Sequence, residues 1–226
     1  MTRDRRTCVA CGAGGGPRIE AHGVVHGQPP RVLDRPLYLA QVALRLGQVR
    51  RATRHPDGEP ESDTTHTVML ALVAIDTALQ TGCDAGLAAQ FAIVHDLPEA
   101  YAGDVNTAHG LTAEEAAAKA VREAEAAAHI VAALGDSPVV DLLRRYEAQV
   151  EPEARIVRYL DKVLPKLTHF LNGGQALRAL GLTRHAVSEK HALQGAALAA
   201  EYPEAVHVQR LFGAAPFGDV DVEDEE

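Results

Sequence analysis

Helical periodicity dominates this sequence from about residue 36 onward, and alternation of apolar and polar residues is almost absent. Apolar residues that recur every three or four positions form one face of an α-helix, whereas alternation is typical of a half-buried strand. The pattern therefore predicts an all-α helical bundle. The predicted helices are 36–51, from Thr64 or Thr65 to 82, 85–96, 112–134, 138–150, 153–171 and 183–202, with a loop at 58–63.

The two ends of the chain differ in composition from the helical region. Residues 1–35 are rich in Gly and Pro, which interrupt regular structure, so we expect an irregular leader there. Residues 213–226 are strongly acidic, and we expect this tail to be disordered. The predicted helical domain occupies residues 36–212 between them.

The leader contains a possible structural zinc site. Cys8, Cys11, His22 and His26 are spaced nearly as in small tetrahedral zinc sites. A bound ion would stabilise a segment that has little core of its own. The alternative is an unstructured leader in which these residues have no common role.

Net charge and cysteine count limit the classes of partner. The formal net charge of −9 argues against a nucleic-acid polymer, although a basic pocket for a small phosphorylated ligand remains compatible with it. Three cysteines without a secretory leader argue for a reducing compartment, and no apolar run approaches the length of a membrane span. We therefore expect a cytoplasmic protein with a small-molecule partner.

Four metal-ligating side chains are distributed over separate predicted helices. His66 lies near the start of an apolar helix, His95 and Asp96 follow about 30 residues later, and Asp161 lies another 65 residues on. Asp161 is at the edge of an apolar stripe, where a carboxylate needs a partner because an unpaired buried charge is costly. Two imidazoles and two carboxylates suit Mn²⁺, Co²⁺, Fe²⁺, Zn²⁺ or Ni²⁺. The alternative is that these are core histidines with ordinary hydrogen-bond partners.

Two longer motifs resemble those of a known family. The order His, His-Asp, Asp resembles that of the HD-domain phosphohydrolases, which are all-helical. The segments "PESDTTH" (60–66) and "HDLPEAYAGD" (95–104) are similar to those of the 5′-deoxynucleotidase-like branch. The resemblance extends over roughly residues 36–172.

The resemblance implies a role for each residue of the site. The metal ligands would be His66, His95, Asp96 and Asp161. Glu99 would orient or deprotonate the attacking water, and Asp104 would bind the sugar hydroxyl or assist that water. Arg51 would bind the substrate phosphate, with Arg50 and Arg54 near enough to replace it.

One position departs from the branch. The family usually has Trp after the phosphate-binding Arg, near the sugar, whereas this chain has Ala52 and no Trp. The selection of the sugar therefore stays open.

The implied function is metal-dependent removal of the 5′-phosphate from a (deoxy)nucleoside monophosphate. A first alternative is release of triphosphate from a deoxynucleoside triphosphate at the same site. A second is a non-catalytic module that binds nucleotides or docks a partner, and a third gives that docking role to the leader. The resemblance also implies a homodimer.

The histidines outside the motifs show no convergent spacing and are interpreted as surface or packing residues: His109, His129, His169, His185, His191 and His207.

Overall fold

The computed structural model describes residues 34–105 and 110–203. Its elements are α1 (Asp34–Leu46), β1 (Arg50–Arg54), β2 (Pro60–Ser62), α2 (Asp63–Thr81), α3 (Ala85–Val94), α4 (Glu99–Ala102), α5 (Ala113–Leu134), α6 (Pro138–Ala148), α7 (Pro152–Leu171), α8 (Gln175–Ala179) and α9 (Arg184–Glu201). The predicted all-α fold is confirmed, with one small two-stranded sheet added in this part of the chain. The possible zinc site and the acidic tail lie outside the described residues.

Side-chain caps determine where several helices begin. The Asp84 side chain accepts from the backbone of Leu87 and caps α3, and Thr112 forms a capping box with Glu115 at the start of α5. The predicted start of α2 at Thr64 or Thr65 is wrong by a residue or two. Ser62 is the N-cap, because its hydroxyl accepts from the backbone N–H of Thr65.

A β-hairpin replaces the end of the first predicted helix, so the prediction of helix to residue 51 is wrong. Helix α1 ends at Leu46, and β1 then pairs antiparallel with β2, in the segment that was predicted to be a loop. The inward residues of the hairpin are the polar side chains Thr53 and Glu61. Hydropathy therefore shows no alternation here, although the backbone is extended.

The main core lies between α2, α3 and α7. Its smallest members are alanines with 0% exposure on α2 and α3, Ala74, Ala78 and Ala88 among them, which let these helices approach closely. A second cluster joins α1, α4, α5 and α6. This packing brings His66 of α2, the C-terminal end of α3 and the middle of α7 to one place.

No helix within residues 34–105 and 110–203 combines the length and the apolar character that a membrane crossing requires.

Candidate metal centre

His66, His95, Asp96 and Asp161 converge as the sequence predicts. Each offers one ligand atom, and the four atoms all lie within 4.8 Å of one another. His66 Nε2 is 3.0 Å from Asp161 Oδ1 and 3.9 Å from Asp96 Oδ2, and His95 Nε2 is 3.7 Å from Asp161 Oδ1. The four residues come from α2, from the turn that follows α3 and from α7, so only the folded bundle assembles them.

The orientation of His95 fits a bound cation. Its Nδ1 donates to the carbonyl of Ala92 at 2.7 Å, which leaves Nε2 as the ligand atom. Nε2 is 2.9 Å from Asp96 Oδ2 but lacks hydrogen-bond geometry, so among the described residues this buried nitrogen has no hydrogen-bond partner. A buried lone pair facing carboxylates is satisfied by a divalent ion, and the donor set suits the borderline metals.

The electrostatics of the cluster favour positive charge. Burial raises the pKa of Asp161, but the hydrogen bond from His66 and the attraction of His95 outweigh it and lower that pKa well below its usual range. Burial lowers the pKa of His95, yet the neighbouring carboxylates raise it well above its usual range. Both shifts have one cause, which is that two partly buried carboxylates favour a cation beside them.

Glu99 and Asp104 lie beside the cluster on the segment that follows it. Burial, Asp96 and Asp63 raise the pKa of Glu99 to about 10, against the attraction of Arg51. Burial also raises the pKa of Asp104, while Arg51 lowers it. Glu99 is therefore a carboxyl group that resists ionisation, and positive charge added nearby would lower its pKa and make it a base.

Arg51 occupies the centre of a second acidic group. Its Nη1 donates to Asp63 Oδ1 at 3.0 Å and to Asp96 Oδ2 at 3.2 Å, and lies 3.7 Å from Glu99 Oε2. These three carboxylates could themselves hold a metal ion by their spacing. Here the guanidinium supplies the positive charge, and Asp96 is shared between it and the histidines.

The two alternative arginines point elsewhere. Arg50 Nη1 donates to the carbonyl of Gly47 at 2.9 Å, and Arg54 Nη1 donates to that of Gly58 at 2.8 Å. Arg50 therefore stabilises the turn before β1, and Arg54 stabilises the turn of the hairpin. Of the three arginines of β1, only Arg51 reaches the carboxylates of the cluster.

Two buried carboxylates behind the cluster were not predicted. Glu61 and Asp63 both have 0% exposure. Glu61 Oε1 lies 3.8 Å from His66 Nδ1, its Oε2 accepts from the Thr53 hydroxyl, and Asp63 holds Arg51. Both residues belong to the segment "PESD", which is part of the motif that resembles the family.

Two cavities adjoin the centre. The α5–α6 cavity has a volume of about 480 Å³, and its lining includes His95, Asp96, Glu99, Lys119, Tyr146, Arg158 and Asp161. The α9 cavity has a volume of about 180 Å³, and its lining includes Arg51, Ala52, Asp104, Lys162, His169, Lys190, His191 and Gln194. His95, Asp96, Glu99 and Asp161 thus line the first cavity, whereas Arg51 and Asp104 line the second. His169 and His191, interpreted from sequence as surface or packing residues, both line the second.

Comparison with known proteins identifies the family. The model of the HD domain matches residues 43–202. The chain belongs to the HD-domain family. This HD-domain protein is 30% identical over 126 residues to the 5′-deoxynucleotidase HDDC2 of Danio rerio, a match that covers 52% of this chain and 61% of that protein.

Two further comparisons agree. The 5′-deoxynucleotidase HDDC2 of Xenopus laevis is 30% identical over 132 residues, which cover 55% of this chain and 64% of that protein. The HD-domain chain thus spans a little over three fifths of the length of the curated relatives it matches. A crystal structure from Magnetospirillum magnetotacticum MS-1, described as a predicted metal-dependent phosphohydrolase, superposes with a TM-score of 0.56 at 25% identity, covering 77% of this chain and 96% of that one.

Proposed function

We propose that this HD-domain protein is a metal-dependent phosphohydrolase that removes the 5′-phosphate from (deoxy)nucleoside monophosphates. The observation that carries the proposal is the cluster of two histidines and two aspartates with the buried Glu99 beside it. Hydrolysis of a phosphate ester needs a Lewis acid, a base for the water and positive charge for the phosphoryl oxygens. The names of the two curated relatives support the choice of substrate.

The proposed metal ligands are His66, His95, Asp96 and Asp161. When bound there, one divalent ion supplies Lewis acidity and lowers the pKa of a coordinated water. The Nε2 atom of His95, which makes no hydrogen bond within the described residues, and the pKa directions of the cluster support this assignment.

Glu99, Asp104 and Arg51 are the proposed catalytic and phosphate-binding residues. Glu99 lines the same cavity as His95, Asp96 and Asp161 and accepts the proton of the attacking water. Arg51 is held by Asp63 on one side and lines the α9 cavity on the other, so its planar guanidinium can bind a phosphoryl oxygen. Asp104 lines that cavity too, and binds the sugar hydroxyl or assists the water.

The charges of the α5–α6 cavity favour a monophosphate over a triphosphate. Its cations are Lys119 and Arg158, and each faces an acid of the same cavity, Lys119 pairing with Glu123 and Arg158 lying 3.4 Å from Glu147. A triphosphate carries several negative charges and would need cations that these acids do not already neutralise.

A substrate screen tests the proposal. Nucleoside mono-, di- and triphosphates would be supplied with Mn²⁺, Co²⁺ or Mg²⁺, and inorganic phosphate would be separated from longer phosphate products. We expect inorganic phosphate from monophosphates. Release of triphosphate would establish the alternative substrate, and no turnover with any metal would favour a non-catalytic binding module.

Replacement of Glu99 tests the assigned base. We expect Glu99→Gln to lower kcat by about 10²–10⁴-fold, because the amide cannot accept the proton, and to leave metal content unchanged. Glu114→Gln, on the exposed first turn of α5, is the matched control. Wild-type turnover by Glu99→Gln would show that another group is the base.

We also propose that the protein is a homodimer. Helix α2 exposes an apolar row, Val68, Leu72, Ile75 and Leu79, whose four-three-four spacing is that of a helix–helix seam. Two copies related by a twofold axis could cover each other's row. Sedimentation equilibrium should show a dimer that Leu72→Glu dissociates and that Val150→Glu, at another exposed apolar position, leaves intact.

A further inference from the structure

The α9 cavity begins where the proposed phosphate site ends. Arg51 and Asp104 form its inner wall, and Arg51 is hydrogen-bonded to Asp96 of the metal cluster. The next wall is α7, where Lys162, Pro165 and His169 continue along the helix from Asp161. A ligand whose phosphoryl group lies at Arg51 would therefore extend into this cavity.

The outer wall of the cavity is largely apolar. Ala52 on β1 faces it with a single methyl group, and Leu177 of α8, Leu182 of the following turn and Val187 of α9 close it. The last three residues also form a small core cluster of their own. This wall suits a planar apolar surface and offers nothing to a phosphate.

One buried polar group of the cavity is an uncharged imidazole. Burial lowers the pKa of His169 to about 4, aided by His191 and Lys190, so this imidazole is neutral and can both donate and accept a hydrogen bond. Lys162 Nζ is 3.2 Å from Glu201 Oε2, so this acid offsets part of its charge. The neutral His169 matches the edge of an uncharged heterocycle.

The amide of Gln194 is fixed on the same wall. Its Nε2 donates to the backbone carbonyl of Lys162 at 3.2 Å, which joins α9 to α7 beside the cavity. An amide held in this way can distinguish ligands by hydrogen bonding because its orientation is set before the ligand arrives.

We propose that the α9 cavity binds the nucleoside leaving group of the substrate, with the base packed against its apolar wall and His169 and Gln194 as the residues that determine specificity. The volume of about 180 Å³ is below the range typical of whole drug-sized ligands, as expected if the cavity takes only the part beyond the phosphate. The inference rests on the proposed phosphohydrolase activity and names the half of the substrate that the metal centre does not contact.

The test compares two phosphate esters that differ only in the base. A nucleoside 5′-monophosphate and ribose 5-phosphate lose the same primary alcohol, so the ratio of their kcat/KM values reports recognition of the base. We expect the wild-type ratio to exceed about 10, and Gln194→Leu and His169→Leu each to reduce it by about five- to tenfold, the loss of one hydrogen bond. Gln80→Leu, the same change on the exposed surface of α2, should leave the ratio at its wild-type value.

A cavity-filling variant and a binding measurement keep the test decisive. Ala52→Phe should also reduce the ratio, because the ring takes the place of the base. A wild-type ratio near 1, or variants that lower both kcat/KM values equally, would overturn the inference and leave the phosphohydrolase activity standing. A different result would also overturn the inference. If tripolyphosphate inhibits the enzyme, His169→Leu weakens that inhibition and nucleosides do not inhibit, the cavity binds a phosphate tail.

Calorimetric titration of the metal-loaded protein with a nucleoside separates this inference from the proposed function. If no phosphate ester is hydrolysed, nucleoside binding that Gln194→Leu weakens about tenfold would still support the cavity, while the proposed activity would fail. Absence of nucleoside binding in that case would reject both.

Discussion

At the scale of single residues, His66 contacts the centre through one ring nitrogen and a buried carboxylate through the other. Its Nε2 faces Asp161, while Nδ1 lies 3.8 Å from Glu61 Oε1. The Thr53 hydroxyl holds the second oxygen of Glu61, so the carboxylate cannot turn away freely. If His66 binds the metal, a carboxylate on the Nδ1 side would favour the tautomer that leaves Nε2 free for the ion.

Removal of the Glu61 carboxylate should weaken metal binding. We expect Glu61→Leu to raise the metal dissociation constant by about 10–100-fold, and Glu61→Gln by less, because the amide keeps a polar oxygen facing Nδ1. Competition with a fluorescent chelator measures both constants. Glu59→Leu, an exposed change in the same hairpin, should bind metal normally. Equal affinities for Glu61→Leu and the wild type would remove Glu61 from the support of His66.

Asp161 makes the strongest test of the ligand set, since it alone comes from α7. Asp161→Asn should reduce metal content after dialysis from about one ion per chain to a small fraction, because the amide is uncharged and a weaker ligand. Elemental analysis gives the number directly. Asp141→Asn is the same change at a carboxylate with 67% side-chain exposure and should retain the ion. Full occupancy in Asp161→Asn would refute the assignment.

At the scale of the elements, the β-hairpin is the feature that hydropathy could not predict. Its inward side chains, Thr53 and Glu61, are polar, so burial and hydrophobicity are uncoupled in this segment. The helices were predictable because their buried residues are apolar and their caps are local, as Thr112 and Glu115 show for α5. His66, His95, Asp96 and Asp161 could be predicted as a group because the resemblance to the family motif names them, and the structure brings the four together. The wall of the α9 cavity was missed because packing of α9 against α7, rather than any motif, assembles it.

The hairpin turn should depend on Gly58. Its φ is +91°, and an added Cβ would meet the Gln175 side chain at 3.3 Å. Gly58→Ala should therefore lower the free energy of unfolding by about 1 kcal/mol. Gly195→Ala provides a control of opposite sign, because this position is inside α9 with open space around it, and alanine there should stabilise by about 0.5–1 kcal/mol. Denaturant titration measures both, and destabilisation by both changes alike would contradict this account.

At the scale of the whole molecule, the metal centre joins parts of the chain that are far apart in sequence. His66 and Asp161 are 95 residues apart, and His95 and Asp96 lie between them at the end of α3. The same three helices pack around the main core, which includes Ala74, Phe91 and Val157. An ion bound by all of them would be released only when this packing is lost, so metal binding and global unfolding should be coupled.

Thermal unfolding should therefore depend on metal concentration. An ion that binds only the folded chain stabilises it by about 2.7 kcal/mol at 100 times its dissociation constant. For a chain of this size, about 2–4 °C of Tm accompanies each kcal/mol, so Tm should rise by roughly 5–10 °C on metal addition and fall again with a chelator. The rise should disappear in Asp161→Asn and persist in Asp141→Asn. A rise that persists in Asp161→Asn would mean that the stabilising ion binds elsewhere. A chelator titration of Cys8→Ala would then test the leader, because the possible zinc site predicted there is another place for such an ion.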